Sequence, residues 1–356
     1  MRRATVAAIA GAGVLLAVAG LAIPVRDQPA VRPAAKGPVS QAPVSPGPAP
    51  QAAVVSPGPV PPGLVPGGLA VRQLTTRMRP LPRVLFGVTA DDVGRLHELV
   101  TSARHLPEMP TTRIYFDVSE PPRYYATAVR RLHPVSYLMG ELLDSADETH
   151  ISVAAYRHRV KSYLAAFRNE VDLWEIGNEV NGNWTGRYAR VEKKLTAAYR
   201  EVTHARRRAV LTLYYNAGCG NGTAELGPLP FSRRYVPRAV RNGLTHVFLS
   251  YYEQNCHGIR PSARTLRNYF RKLHALYPHA RLGFGEIGLS RPVRRRTIAA
   301  ARSLISYYYG LQIRLPYYAG GYFWWYYAED CLPYSSKPLW SALRGGFRAE
   351  TASLRR

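Results

Sequence analysis

Short apolar stretches alternate with longer amphipathic stretches from about residue 71 to the end of the chain. The apolar stretches are five or six residues long, which is typical of buried strands, and the amphipathic stretches space their apolar residues as helices do. Strands are predicted at 84–89, 112–116, 135–139, 173–177, 210–215, 246–250, 281–285 and 321–325. Helices are predicted at 91–104, 153–168, 187–206, 263–276, 295–311 and 339–348.

The regular exchange of strand and helix predicts a parallel sheet with helices packed around it. Eight such units favour closure into a (β/α)8 TIM barrel, of the α/β class, over an open doubly wound sheet. The segment after the first strand, 86–91, lacks the glycine spacing of a dinucleotide site, so no nucleotide cofactor is predicted there.

The residues before the barrel have a different character. Arg2 and Arg3 precede an uncharged apolar run, so residues 1–25 are predicted to be a signal peptide or an N-terminal membrane anchor. Residues 26–70 are predicted to be a disordered linker, because the segment 24–68 holds 13 of the 29 prolines and shows no helical or strand periodicity. We therefore expect an extracellular protein, secreted or tethered to the cell surface, with residues 71–356 as its barrel domain.

The chain is strongly basic, with 48 Lys and Arg against 23 Asp and Glu and a net charge of +25. This charge permits contact with anionic polymers, nucleic acid or an acidic cell surface. No nucleic-acid-binding module is present, so nucleic acid is not an expected partner. The basic runs 206–208 and 294–296 are interpreted mainly as solvated surface, and the histidines lack metal-ligand spacing. We predict no metal site and expect a monomer.

The segment 173–184 runs from an apolar strand into a cluster of amide, carboxylate and indole side chains that ends at Trp184. Asn178 and Glu179 follow the predicted strand, at the edge of a barrel where catalytic groups collect. An amide beside a carboxyl group suits an enzyme that holds a sugar hydroxyl while passing a proton to the glycosidic oxygen. Glu175 lies inside the predicted strand and is interpreted as structural. Taken without this context, an Asn-Glu pair is more often a helix cap or a turn.

A second carboxylate stands at the end of the seventh strand. Glu286 lies between Gly285 and Ile287-Gly288, and the glycines would let a substrate approach closely. Strands four and seven would place Glu179 and Glu286 across the barrel mouth from each other, and a separation of about 5 to 5.5 Å would indicate a retaining mechanism. The alternative is that Glu286 is a buried salt-bridge partner.

These two glutamates, about a hundred residues apart on strands four and seven, resemble glycoside hydrolase clan A, the retaining barrels with two catalytic glutamates. The resemblance spans about residues 84–348. It implies that Glu179 is the general acid/base, Glu286 the nucleophile and Asn178 the group that binds the sugar 2-hydroxyl. It also implies that Arg113 and Tyr252 hydrogen-bond the nucleophile and keep it ionised, although Arg113 could instead pair with Asp117 or Glu175. Ser250 and Gly285 depart from the pattern, in which several families have a histidine and a hydroxyl residue.

Aromatic residues cluster at the predicted strand ends. The resemblance implies that a tryptophan beneath the reacting sugar comes from the Trp324-Trp325 pair; since alternate strand residues face opposite sides, only one can face the barrel, and Trp324 is favoured. Trp184 is expected to bind substrate, and Tyr214, Tyr215 and Tyr251 could extend the same platform.

The three cysteines, Cys219, Cys256 and Cys331, all follow predicted strands, and in an oxidising compartment Cys219 and Cys256 are the favoured pair because their strands are neighbours.

The predicted function is therefore a retaining glycoside hydrolase that acts on a polysaccharide or oligosaccharide without a cofactor. The charge mildly favours an anionic glycan. A non-catalytic protein of the same fold that binds a carbohydrate or cell-envelope polymer is the alternative, and a transglycosylase would use the same residues. The sequence does not identify the sugar, the linkage or the endo or exo mode of attack.

Overall fold

The structure, a computed structural model, describes residues 78–215, 219 and 226–354, so the predicted segments 1–25 and 26–70 lie outside it. In the described part, eight parallel strands pair in chain order and close into a barrel. The strands are β1 Leu85–Ala90, β2 Thr111–Tyr115, β3 Tyr137–Glu141, β4 Leu173–Glu175, β5 Ala209–Tyr214, β6 His246–Tyr251, β7 Arg281–Ile287 and β8 Tyr318–Trp324. The predicted TIM barrel is confirmed.

Helices surround the barrel. They are α1 Leu96–His105, α2 Pro122–Leu132, α3 Val153–Phe167, α4 Tyr188–His204, α5 Pro228–Tyr235, α6 Arg238–Gly243, α7 Ala263–His274, α8 Ile298–Tyr309, α9 Tyr327–Cys331 and α10 Pro338–Leu354. Helices α3 and α7 are preceded by the N-cap residues Ser152 and Ser262, whose side chains accept hydrogen bonds from the Ala155 and Thr265 amides. Among the described residues, none of the helices combines the length and apolar character required to cross a membrane.

Besides the five-residue α9, the sequence-based prediction omitted three helices, α2, α5 and α6. Each of them begins just after or at proline, at Pro121-Pro122, Pro228 and Pro237. Proline is tolerated in the first turn of a helix because the N–H groups there have no partner within the helix. Helix α2 buries Tyr125 and Val129, spaced four residues apart, against the sheet.

The barrel interior is apolar at one end and polar at the other. Its apolar layer consists of Leu85, Met139, Leu173, Val210, Phe248, Ala319 and Phe323. A larger apolar cluster fills the space between the strands and the helices. Because side chains alternate along a strand, Leu173 and Glu175 of β4 both face the interior while Trp174 packs in the outer cluster. The inward positions nearest the strand ends are therefore free for polar residues.

Candidate active site

A buried arginine, Arg113 of β2, lies at the centre of the polar layer. Its Nε donates to Glu175 Oε2 at 2.7 Å, its Nη1 donates to Glu286 Oε2 at 2.9 Å, and its Nη2 lies 3.1 Å from Glu141 Oε1. Burial alone would lower the pKa of Arg113, but the three carboxylates raise it well above its ordinary value. The guanidinium thus stays charged and joins strands β2, β3, β4 and β7.

The structure selects Glu175 over Asp117 as the further partner of Arg113. Asp117 instead accepts hydrogen bonds from the Ser119 amide and hydroxyl. Thr212 of β5 donates to the second oxygen of Glu175, so both carboxylate oxygens have partners. The prediction that Glu175 lies inside its strand was wrong, because β4 ends at this residue. Its contacts show that it holds Arg113 in place.

Glu286 lies at the inner wall of the barrel mouth. Only 5% of it is exposed, and it accepts hydrogen bonds from the two residues that the resemblance to clan A implied as its partners. Tyr252 Oη donates to Glu286 Oε1 at 2.5 Å, and Arg113 donates to Oε2. Both oxygens are therefore fixed, which sets the orientation of the carboxylate.

A β-bulge in β7 directs Glu286 into the barrel. Leu249 of β6 pairs with Phe284, but the next residue, Ser250, pairs with Glu286, so Gly285 is the extra residue on β7. In an unbroken strand Phe284 and Glu286 would face the same side, and Phe284 packs outward in the core. A Cβ on Gly285 would lie within 2.7 to 2.8 Å of side-chain atoms inside the barrel. Glycine at this position is therefore a steric requirement of the bulge.

Glu179 lies in the loop after β4, with a φ angle of 45° in the left-handed region that non-glycine residues rarely adopt. The Gly182 amide donates to the Glu179 carbonyl at 2.8 Å and closes a tight turn. The half-buried carboxyl group accepts from Ser250 at Oε1, and Ser145 Oγ lies 3.4 Å from Oε2. Trp184 Nε1 in turn donates to Ser145 Oγ at 3.0 Å. Uncommon backbone geometry of this kind often marks functional sites.

The two glutamates differ in the charges around them. Burial raises the pKa of Glu179 well above its ordinary value, the charge of Glu286 raises it further, and the Ser250 hydrogen bond opposes the rise. Burial also raises the pKa of Glu286, but Arg113 and Tyr252 both lower it. Glu179 is thus the carboxyl group that better retains a proton, and Glu286 is the better stabilised carboxylate. Arg113 and Tyr252 lower the pKa of Glu286 as expected, but burial raises it by more, so its pKa lies above the ordinary value.

Asn178 is buried next to Glu179, with 2% of its surface exposed. Its Oδ1 has no hydrogen-bond partner among the described residues. A buried amide oxygen without a partner costs free energy, so this atom is suited to accept from a bound hydroxyl.

Glu141 and the two serines that contact Glu179 were not among the site residues predicted from the sequence. Glu141 was not predicted because the third strand was expected to end at residue 139, whereas β3 extends to Glu141. Its inward position could have been read from the alternation that also places Met139 inside the barrel. Burial raises the pKa of Glu141 well above its ordinary value, and Arg113 opposes the rise. Ser250 was noted only as a departure from the clan pattern.

Trp325 and Tyr115 form an aromatic wall at the mouth. Both side chains are partly exposed, and their rings meet edge to face with centroids 6.1 Å apart. The Trp325 ring also lies 5.2 Å from the Arg113 guanidinium. Trp184 is partly exposed and meets Tyr214 edge to face at 5.1 Å. The site therefore has aromatic surfaces beside Glu286 and beside Glu179.

The preference for Trp324 as the sugar-facing residue was wrong in position. Trp324 is fully buried, and its Nε1 donates to Asp330 Oδ2 at 2.9 Å. Tyr322 and Phe323 before it have φ angles of 77° and 38°, and the register between β1 and β8 shifts over the same residues. Trp324 consequently faces the outer core, and Trp325 is the tryptophan at the mouth.

Tyr215 and Tyr251 do not extend this platform. Their rings pack at 5.5 Å in the outer core, and Tyr251 is 1% exposed. Tyr251 Oη donates to the Ile259 carbonyl at 2.6 Å. Of the three tyrosines predicted to extend the cleft, only Tyr214 contacts a residue of the mouth.

Cys219 and Cys256, after β5 and β6, form a disulfide with a Cα–Cα distance of 5.3 Å, and Cys331 is a buried free thiol. The residues on either side of Cys219 are not described, so only the link itself is placed at the rim. In the described part of the chain, no group of three His, Cys, Asp or Glu side chains could hold a metal ion.

No family model matches the chain. No curated protein matches it either. Its fold is that of glycosidase barrels of known structure. A GH10 xylanase from Bispora sp. MEY-1 with xylobiose matches at a TM-score of 0.50 and 13% identity, covering 67% of this chain and 82% of the xylanase. An endo-β-1,4-glucanase from Xanthomonas axonopodis pv. citri matches at a TM-score of 0.50 and 12% identity, covering 78% and 96%. These identities are low, so the likeness confirms the resemblance to clan A for the fold.

Proposed function

We propose that this protein is a retaining glycoside hydrolase that cleaves a polysaccharide or oligosaccharide with Glu179 and Glu286. The observation that supports it best is the contact of both carboxylates with the carboxyl end of β6 and the residue that follows it. Ser250 donates to Glu179, and Tyr252, two residues later, donates to Glu286. Two carboxyl groups brought together at a barrel mouth, with their pKa values set differently, form the constellation that glycosidic cleavage requires.

In the first step of this mechanism, Glu286 attacks the anomeric carbon and forms a covalent glycosyl ester. Arg113 and Tyr252 hold its two oxygens, so one lone pair is directed at the substrate. Glu179 donates its proton to the leaving oxygen, which its raised pKa allows. In the second step Glu179 removes a proton from water, whose oxygen attacks the anomeric carbon; the bond between that carbon and Glu286 breaks and the carboxylate of Glu286 leaves.

Other residues of the mouth would bind the sugar. Asn178 Oδ1, which has no partner among the described residues, would accept from the sugar 2-hydroxyl. Trp325 and Trp184 would contact the apolar faces of sugar rings on the two sides of the cleft. No step requires a cofactor. Export, the tether of residues 26–70 and the monomeric state stay predictions from the sequence.

The test is hydrolysis of a panel of aryl glycosides and polysaccharides by the full chain, with Glu179→Gln and Glu286→Gln beside it. Glu192→Gln, at a partly exposed position of α4, is the matched control. We expect both active-site variants to lose several orders of magnitude in kcat and the control to keep its activity. Product stereochemistry read by NMR should show retention.

Two outcomes would contradict the proposal. Inversion at the anomeric carbon would exclude Glu286 as the nucleophile. An absence of activity on every substrate, with glycan binding that survives both glutamine substitutions, would establish the non-catalytic binding protein in its place.

A further inference from the structure

The net positive charge of the described residues is concentrated on one side of the barrel. Residues 226–324, from just before α5 to the end of β8, hold sixteen Lys and Arg but only two acidic residues, Glu253 and Glu286; Glu329 and Asp330 follow in α9. Residues 78–215 hold twenty Lys and Arg against sixteen acidic residues. The two acidic residues of the basic side are already paired, Glu253 with Arg260 at 2.6 Å and Glu286 with Arg113 at 2.9 Å.

Part of this charge lies beside the candidate active site. Five exposed arginines lie at or just before the starts of α7 and α8, and we call them the basic rim: Arg264, Arg291, Arg294, Arg295 and Arg296. Four of the five lie in the connection that leads from the strand of Glu286 to α8. In a parallel barrel this connection lies on the same edge as the active site.

Arg264 lies in the first turn of α7, which follows β6 and therefore begins on the same edge of the barrel. Tyr307 Oη of α8 donates to the Pro261 carbonyl, just before α7, at 2.6 Å. Arg260 Nη1 donates to Ser303 Oγ of α8 at 2.9 Å. The segment just before α7 therefore packs along the middle and second half of α8.

The loops that lead to α7 and α8 also meet each other, because Ser290 donates to Gln254 Oε1 from its amide at 2.9 Å and from its hydroxyl at 2.7 Å. Arg291 follows directly after this contact.

Among the described residues, no carboxylate forms an ion pair with the basic rim, although Asp330 of α9 lies beside it and accepts from the Val293 amide at 2.7 Å. Neither α7 nor α8 has an acidic residue in its first turn. Cations at the start of a helix are disfavoured by the helix dipole, and exposed like charges repel one another. An external polyanion would relieve both effects, and guanidinium forks match carboxylates in geometry.

We propose that the basic rim binds the carboxylate groups of an anionic polysaccharide where that chain leaves the active-site cleft. The choice of a glycan over a nucleic acid rests on the proposed function, because the basic rim follows directly from the strand of Glu286. The proposal adds to that function a class of substrate, a polymer of acidic sugars. It also assigns these arginines to binding sugars beyond the one that reacts.

The test uses the full chain with Glu286→Gln, so that binding is measured without turnover. The probes are polygalacturonate and its fully methyl-esterified form, which has the same backbone without the charge. The rim variant is Arg291→Gln/Arg295→Gln/Arg296→Gln. The matched control removes the same charge from exposed positions of α2: Arg123→Gln/Arg130→Gln/Arg131→Gln.

Binding is titrated from about 20 to 300 mM NaCl. Each lost contact with a linear polyanion removes a little under one unit from the slope of log affinity against log salt. We expect the rim variant to bind polygalacturonate at least about tenfold more weakly at low salt, with a slope smaller by about two to three. The control variant should keep the slope, and the methyl ester should bind all proteins equally.

An equal loss in the α2 control would overturn the proposal, because net charge rather than the basic rim would then explain binding. Equal affinity for a DNA duplex, with the same dependence on the rim, would overturn the assignment to glycans. Absence of polygalacturonate binding at low salt would also overturn the proposal. These results are separate from hydrolysis, which is measured on the chain with Glu286 intact, so rim-dependent binding without any hydrolysis would refute only the proposed function.

Discussion

Replacing Arg113 should destabilise the barrel in a way that depends on pH. Arg113→Met keeps most of the side-chain volume but leaves Glu141, Glu175 and Glu286 without their shared cation. All three carboxylates are at least 94% buried as side chains. Removing one partner of a buried ion pair costs about 3–5 kcal/mol. For a domain of this size that corresponds to a fall in Tm of about 6–10 °C at neutral pH.

The sign of the pH dependence follows from the raised pKa values of Glu141 and Glu286. Arg113 lowers both, so both should rise further in the variant. A carboxyl group with a raised folded-state pKa contributes stability below its unfolded pKa and loses that contribution as the pH rises through the folded value. The deficit of Arg113→Met should therefore be largest at neutral pH and shrink as the pH falls towards the ordinary pKa of 4.5.

The assay is thermal unfolding followed by circular dichroism at about pH 7.5 and about pH 4.5, with Arg123→Met on the exposed face of α2 as the control. The control should change Tm little at either pH. A Tm of Arg113→Met within about 1 °C of the parent at pH 7.5 would refute the reasoning. So would a deficit that stays the same at both pH values, because the loss would then come from packing and not from charge.

Three further predictions follow from the site and its surroundings. Trp325→Ala should lower kcat/KM about tenfold or more with little change in Tm, whereas Trp324→Ala should cost about 3–5 kcal/mol of stability, as measured by denaturant unfolding; the reverse pattern would restore Trp324 as the sugar contact. Ser250→Ala removes a hydrogen bond that lowers the pKa of Glu179, so the basic limb of the profile of kcat/KM against pH should move to higher pH, and Ser250→Thr should restore it; an unmoved limb would show that the hydroxyl does not tune Glu179. Burial raises the pKa of Glu350 to about 7, so its contribution to stability is present below the ordinary pKa of 4.5 and is lost as the pH rises through 7. Glu350→Gln should accordingly have a higher Tm than the parent at about pH 8.5 and the same Tm as the parent at about pH 4. A variant whose Tm equals that of the parent at both pH values would contradict this prediction.

The sequence alone determined the strands of the barrel and the positions of both glutamates. Apolar runs and their polar ends are local patterns, because a buried strand must hide its side chains wherever its neighbours lie. The same locality placed Arg113 within the second strand and Tyr252 after the sixth, and both contact Glu286. The helices that follow prolines were missed, since proline reads as a break until the start of the helix is known.

Only the tertiary structure decided which way the key side chains face. Glu286 points inward because Gly285 is the extra residue in β7, and a bulge is a property of two paired strands. The register shift in β8 likewise directs Trp324 outward and leaves Trp325 at the mouth. Arg113 meets Glu175 and Glu286 from 62 and 173 residues away along the chain. Periodicity within one segment contains no information on such contacts, because closure of the barrel brings those strands together.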